Sequence, residues 1–359
     1  MTGRQRFLDI ADGRLRGEVY LPYNLNYGWF MDETLERWRG EGLPADADVA
    51  EHFGLDRVRF AGGAPYSLVP PFERVVLAQD QSTLTIRDEK GATLRVLKEQ
   101  GQTKMPQWLD YPVKTREDFR ALARRLDAAS PERYPGDWDV FALSMAESPW
   151  PVGFAPGSFY GHTLQQWVGT ERLCMLFYDD PSFVHEMLEY LEEFFLQLAR
   201  AYLAHVSFDF ASFGEDIAYK GRSFPYPAMF REFLQPRYVA ICDLMRRSGI
   251  RTIFVDSDGF IDELIGLWME VGINGFSPLE IAAGTDPQAL KRRYGEDIVL
   301  AGGIDKRALL RDERAIDAEI AKVRALLEEG RYFPAVDHSV PQDVPYRNFA
   351  YLVEGIKGL

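Results

Sequence analysis

From about residue 138 to the C-terminus the chain repeats one unit. A short apolar or β-branched run is followed by a polar loop and then by a stretch whose apolar residues fall at helical spacing. The runs, each predicted as a strand, are Trp138–Met145, Phe208–Phe213, Arg251–Val255, Ile273–Phe276, Ile298–Ala301 and Tyr332–Val336. Between them, Phe183–Leu203 places Val184, Met187, Leu188, Leu191, Phe194, Phe195, Leu198 and Tyr202 on one helical face, with Pro181 and Ser182 as a start signal. Ala228–Arg247 has the same period but contains Pro236, which predicts a break, and Gly249 closes it. Repeated strand–helix units require parallel pairing and right-handed crossovers. An open doubly wound sheet and a closed barrel both satisfy that requirement. Two earlier runs, Glu18–Pro22 and Arg57–Phe60, raise the strand count to eight and favour an α/β fold of the (β/α)8 TIM-barrel type.

The region 82–135 departs from this pattern. Ser82–Glu99 reads as two alternating strands joined by Glu89-Lys90-Gly91, a hairpin insertion. Thr103–Pro135 is polar and rich in proline and charge, as expected of a cap on the barrel surface. We therefore expect one domain over 1–359, decorated by an insertion and cap over 82–135. The net charge of −14 gives no electrostatic support for a nucleic-acid partner. The two cysteines, Cys174 and Cys242, lack metal-motif spacing, which fits a reducing compartment. No apolar run is long enough to span a bilayer, so the expectation is a soluble cytoplasmic protein.

In a parallel barrel, chemistry sits where strands end and loops begin. Glu215 and Asp216 follow Phe213. Asp256, Ser257 and Asp258 follow Val255. Ser277 and Glu280 follow Phe276. Asp305 follows Gly302-Gly303, and Asp337 and His338 follow Val336. Five consecutive strands thus deliver an acid to one rim, and the last adds an imidazole. Crowded carboxylates raise one another's pKa and attract cations, which makes them candidates for acid–base work. Asp262, Asp286 and Asp312 read instead as helix caps, and capping competes equally with function at Asp258 and Asp305. His162 stands after the third strand, within reach of the rim, and Tyr23, Tyr27, Trp29 and Tyr160 are aromatic candidates for the pocket wall. Gly302-Gly303 lacks any phosphate-loop pattern and is read as a tight turn.

Several segments resemble the uroporphyrinogen decarboxylase superfamily. PVGFAPGSFYGHTLQQWVGTERLCMLFYDDPSFVHEML is similar to the segment after its third strand. FGEDIAYKGRSFPYPAMFREFLQPRY resembles its acidic strand end, LAGGIDKRALL its Gly-Asp strand, and VDHSVPQDVPYRNFAYLVE its closing segment. The likeness covers about 138–357 and implies a (β/α)8 barrel. True uroporphyrinogen decarboxylases bind a polycarboxylate tetrapyrrole using an arginine-rich loop and an aspartate after the second strand. Here FAGGAPYSLVPP offers no such aspartate, and Gln165 falls near the position of the family's tyrosine.

The other branch contains corrinoid-dependent methyltransferases, in which a His and two Cys hold zinc. At the corresponding positions stand Asp256-Ser257-Asp258-Gly259 and His338. The resemblance then implies a harder ligand set of Asp256, His338 and Glu215 for zinc or another divalent ion polarising an oxygen. It also implies a corrinoid carried by a partner protein, because no cobalamin-binding DxHxxG motif is present. The expected activity is methyl transfer from a small substrate. Glu215, Asp216, Asp256 and His338 are the expected catalytic groups, and Tyr160, His162, Asp258, Glu280 and Asp305 the expected substrate contacts. A metal-free pairing of Asp256 with His338, decarboxylation of uroporphyrinogen or a smaller acid, and a non-catalytic ligand-binding barrel are the alternatives.

Overall fold

The structure is a computed structural model that describes residues 1–23, 25, 30–61, 66–98 and 105–359. Its strands in chain order are β1 (Pro22–Tyr23), β2 (Asp56–Arg57), β3 (Arg59–Phe60), β4 (Val75–Gln79), β5 (Thr83–Arg87), β6 (Thr93–Leu97), β7 (Gln107–Asp110), β8 (Val152–Phe154), β9 (Phe210–Gly214), β10 (Ala218–Tyr219), β11 (Arg222–Ser223), β12 (Thr252–Asp256), β13 (Gly275–Ser277), β14 (Val299–Ile304) and β15 (Tyr332–Val336). A curled parallel sheet runs in the order β3-β8-β9-β12-β13-β14-β15. Strand β1 pairs in parallel with β2, and just beyond β1 a parallel bridge joins Phe30 to Val340, after β15. Counting β2 and β3 as one interrupted strand, eight parallel positions surround the interior, as a TIM-type barrel requires.

Register places the rim. Asp256 is level with Gly214 of β9 and Ser277 of β13, and Ile304 is level with Val336. The acids that follow these strands therefore emerge at one end. The opposite end is filled. Phe7 on the N-terminal helix Gly3–Ala11 stacks on Phe333 at 4.6 Å and meets Phe210 at 5.2 Å. With Ile10, Tyr20, Phe254 and Val299 these rings form a buried cluster inside the barrel. Glycines make room for them: a Cβ on Gly153 would lie 2.3 Å from the Phe210 ring, and one on Gly275 2.4 Å from Phe254.

The five strands expected from Phe208 onward form, each within a residue or three of its predicted limits. Trp138–Met145 is a helix, Trp138–Ala146, and the third barrel strand is β8 instead. The Asp137 carboxylate caps the helix by accepting from the amides of Asp139 and Val140. Trp138, Phe141, Ala142 and Met145 face the core while Val140 and Leu143 are exposed, which is a helical stripe rather than a buried strand. The first strand lies at Pro22–Tyr23, at the end of its predicted span, and the second is split at Val58. The hairpin forms as β5 and β6, flanked by β4 and β7 in a four-stranded antiparallel sheet. The break at Pro236 is a π-helical turn, Phe230–Leu234, which leads into Gln235–Arg247 and absorbs the missing proline N–H. Among the described residues no helix is long and apolar enough to cross a membrane.

Candidate active site

Two histidine–carboxylate pairs stand at the rim. His338, just past β15, places Nε2 3.1 Å from Oδ2 of Asp258, just past β12. His162, in the loop after β8, places Nε2 3.5 Å from Oδ2 of Asp216, just past β9. The backbone N–H of Asp258 donates to Oδ1 of Asp216 at 3.3 Å, so the two pairs are joined into one row. All four side chains are between 30% and 45% exposed, open enough to meet an incoming molecule.

Local bonding holds this row. Asp216 sits at φ 44°, a strained conformation for a residue with a side chain and one concentrated at functional sites. The Ser257 hydroxyl accepts from the amide of Ile217 and donates to the carbonyl of Asp258. The Glu280 carboxylate accepts from the amide of Gly259 at 3.0 Å, bracing the loop that carries Asp258. The bond to Asp258 raises the pKa of His338 against the opposing effect of burial, which favours an imidazolium. Burial, reinforced by the neighbouring Asp258 charge, raises Asp216, and the two histidines counter it.

Glu215 is not in this row. It is fully buried, and its carboxylate accepts from the amides of Phe159 and Tyr160 at 2.9 Å, from the Tyr238 hydroxyl at 2.7 Å and from Ser158 at 3.3 Å. Burial pushes it up to about 7. These donors use up its lone pairs and fix the loop that presents His162, so Glu215 positions a wall and does not reach a substrate. Asp256 ends β12, half-buried at the rim, and its carbonyl accepts from the amide of Glu215. Burial, reinforced by the charges of Glu215 and Asp256, raises the phenol of Tyr66.

Other expected contacts take different roles. The Tyr160 ring is fully buried against Phe224, so only its backbone serves the site. Asp305 caps the turn at Arg307 and pairs with that guanidinium at 2.8 Å. Asp286 and Asp312 cap helices as expected, whereas Asp262 is the first residue of its helix and the N-cap position is held by Ile261. Gly302 and Gly303 lie within β14 and not in a turn at its end; Gly302 adopts φ 102°, and a Cβ there would lie 2.0 Å from the Pro278 carbonyl, so the glycine serves close backbone approach. Tyr23 lies in β1, while Tyr27 and Trp29 fall outside the described residues. Asp337 was grouped with the rim acids, yet it is buried and accepts from the amides of Ile281 and Lys306, with burial pushing it up to about 6.

Beside His162 opens a cavity of about 710 Å³, within the range that small ligands use. Tyr66, Leu68, Trp167 and Lys90 line it together with His162. Nothing local in the sequence marks Tyr66, Trp167 or Lys90. They come from a loop, a short helix and the turn between β5 and β6, and only the fold brings them together.

A parallel barrel with acid–base groups at the C-terminal rim is the design of a barrel enzyme whose chemistry is set by its loops. The family model described as Uroporphyrinogen decarboxylase (URO-D) matches residues 152–359. The chain belongs to the uroporphyrinogen decarboxylase family. It is 23% identical over 289 residues to a uroporphyrinogen decarboxylase of Campylobacter lari, covering 76% of each chain. Its fold is similar to that of a methyltransferase from Methanosarcina mazei, with a TM-score of 0.61, 14% identity and coverage of 100% of this chain and 99% of that one.

Proposed function

We propose that this chain is a methyl-transferring enzyme of the family, which takes a small methylated substrate at its rim and gives the methyl group to a corrinoid carried by a separate protein. The observation that supports this reading is the His338–Asp258 pair, which is accessible and in which the carboxylate raises the pKa of the imidazole. A methyl group bound to oxygen leaves readily only if that oxygen is protonated as the bond breaks, and a positioned imidazolium is suited to do so. A reduced corrinoid supplies the nucleophile that accepts the methyl group. The chain's own residues orient the donor and hold the proton at His338 through its bond to Asp258.

The donor set does not fit the divalent ion that the family resemblance implied. Glu215 is saturated by four donors, and among the described residues no three of His, Cys, Asp and Glu converge as an ion requires. No step is therefore assigned to a metal. At the rim His338 bonds Asp258 at 3.1 Å.

A second reading draws on the Campylobacter lari relative: decarboxylation, with the same acid protonating the carbon that loses carbon dioxide. Carboxylates at Asp216, Asp256, Asp258 and Glu280 make the rim a poor host for a substrate with many negative charges.

The test is to mix the protein with reduced cobalamin and a panel of small methyl ethers and esters, and to follow loss of the reduced cobalamin spectrum. We expect bleaching, slowed about 100-fold or more in His338→Ala, the contribution of a general acid. Efficient conversion of uroporphyrinogen with no bleaching by any donor would replace methyl transfer by decarboxylation.

A further inference from the structure

The cavity beside His162 is closed on one side by the turn of the antiparallel sheet, and that turn is rigidly built. The Asp88 carboxylate accepts from the amides of Lys90 and Ala92, and the amide of Gly91 donates to the Asp88 carbonyl. The amide of Phe72 donates to the carbonyl of Glu89, tying the turn to the segment that follows β3. A Cβ on Gly91 would lie 2.9 Å from the Phe72 ring, so the turn lies tight against that segment. The turn therefore holds the Lys90 stem at the cavity wall.

The Lys90 ammonium has no ion-pair partner among the described residues. It donates to the side-chain oxygen of Gln166, a neutral amide, and the amide nitrogen of Gln166 lies 3.5 Å from Nδ1 of His162. A cation thus stands two contacts from the histidine row, at the wall of a ligand-sized cavity. Of the two carboxylates that line the cavity, Glu89 pairs with Arg74 and Glu132 accepts from the Ser130 hydroxyl. Lys90 is exposed at the cavity wall, where an arriving anion can reach its ammonium. The remaining wall near His162 is aromatic and apolar, with Tyr66, Leu68 and Trp167.

We propose that Lys90 is the anion-recognition residue of this site and that the substrate is a small organic monoanion, its carboxylate-type head on Lys90 and its apolar body against Tyr66 and Trp167. The acidic rim beyond His162 then receives the uncharged end of the molecule. Calling this anion the methyl donor rests on the reading given above. The anion site itself rests on the cavity and the turn.

The test is calorimetric titration of the full chain with benzoate, hexanoate and methoxyacetate, with benzamide as the neutral match to benzoate. At least one of the acids should bind, benzoate should exceed benzamide, and Lys90→Gln should weaken the bound acid roughly tenfold or more, the loss of one charge-assisted hydrogen bond. Lys90→Arg should restore binding to within about threefold of the natural chain, since it keeps the charge. An unchanged melting temperature in each variant separates recognition from folding. Failure of all three acids to bind, or equal binding by Lys90→Gln, overturns the proposal. No cobalamin enters this titration. Binding through Lys90 without methyl transfer would refute the enzymatic reading alone, and turnover of neutral donors without anion binding would refute the Lys90 site alone.

Discussion

Single side chains divide into those that touch the rim and those that hold it. His338 and Asp258 belong to the first group. Because the Asp258 carboxylate is the main cause of the raised His338 pKa, Asp258→Asn should let the imidazolium lose its proton at lower pH. The high-pH limb of the rate of cobalamin methylation should move down in that variant, and a rate profile from pH 5 to 9 would record it. Glu215 belongs to the second group. Its folded pKa of about 7 lies above the ordinary carboxyl value, so its proton stabilises the fold. That contribution is complete below about pH 4.5 and is lost as pH rises through about 7. Glu215→Gln should remove this dependence. It should also cost about 1–3 kcal/mol, because an amide NH2 cannot accept from the donors that face a carboxylate oxygen. Urea unfolding at several pH values would show both effects. The sequence pointed to Glu215, Asp256 and His338 because strand ends are visible in hydrophobic periodicity. It did not show which of the acids turns inward, since that depends on the amides of Phe159 and Tyr160, more than fifty residues away along the chain.

At the scale of elements, the last five strands were readable because each is a short apolar run bounded by polar loops. Trp138–Ala146 misled because Val140 and Leu143 are apolar and exposed, filling the gaps of a helical stripe until it looked continuous. Strand β8, Val152–Phe154, is three residues long and carries a glycine, too little for periodicity to mark. That glycine has a packing reason, the Phe210 ring that occupies the place of its missing side chain. The N-terminal helix likewise gave no sign of its partner. Phe7 is fully buried between Phe210 and Phe333, and its truncation leaves a void inside the barrel. Phe7→Ala should destabilise by about 3–5 kcal/mol, measured as a shift of the denaturation midpoint at constant slope. A value near zero would mean that the helix does not seal the barrel in solution.

Across the whole molecule, the fold class was legible because repeated strand–helix units admit few topologies. The binding cavity was not, because its wall comes from an inserted sheet whose position over the rim depends on tertiary contacts such as that of Phe72 with the turn at Gly91. The barrel fixes where strands end, while an insertion of about thirty-five residues between Val75 and Asp110 supplies part of the cavity wall. The rings of Phe7, Phe210, Phe254 and Phe333 block any passage through the base of the barrel. Among the described residues, a molecule that reaches the histidine row therefore comes and goes by the rim.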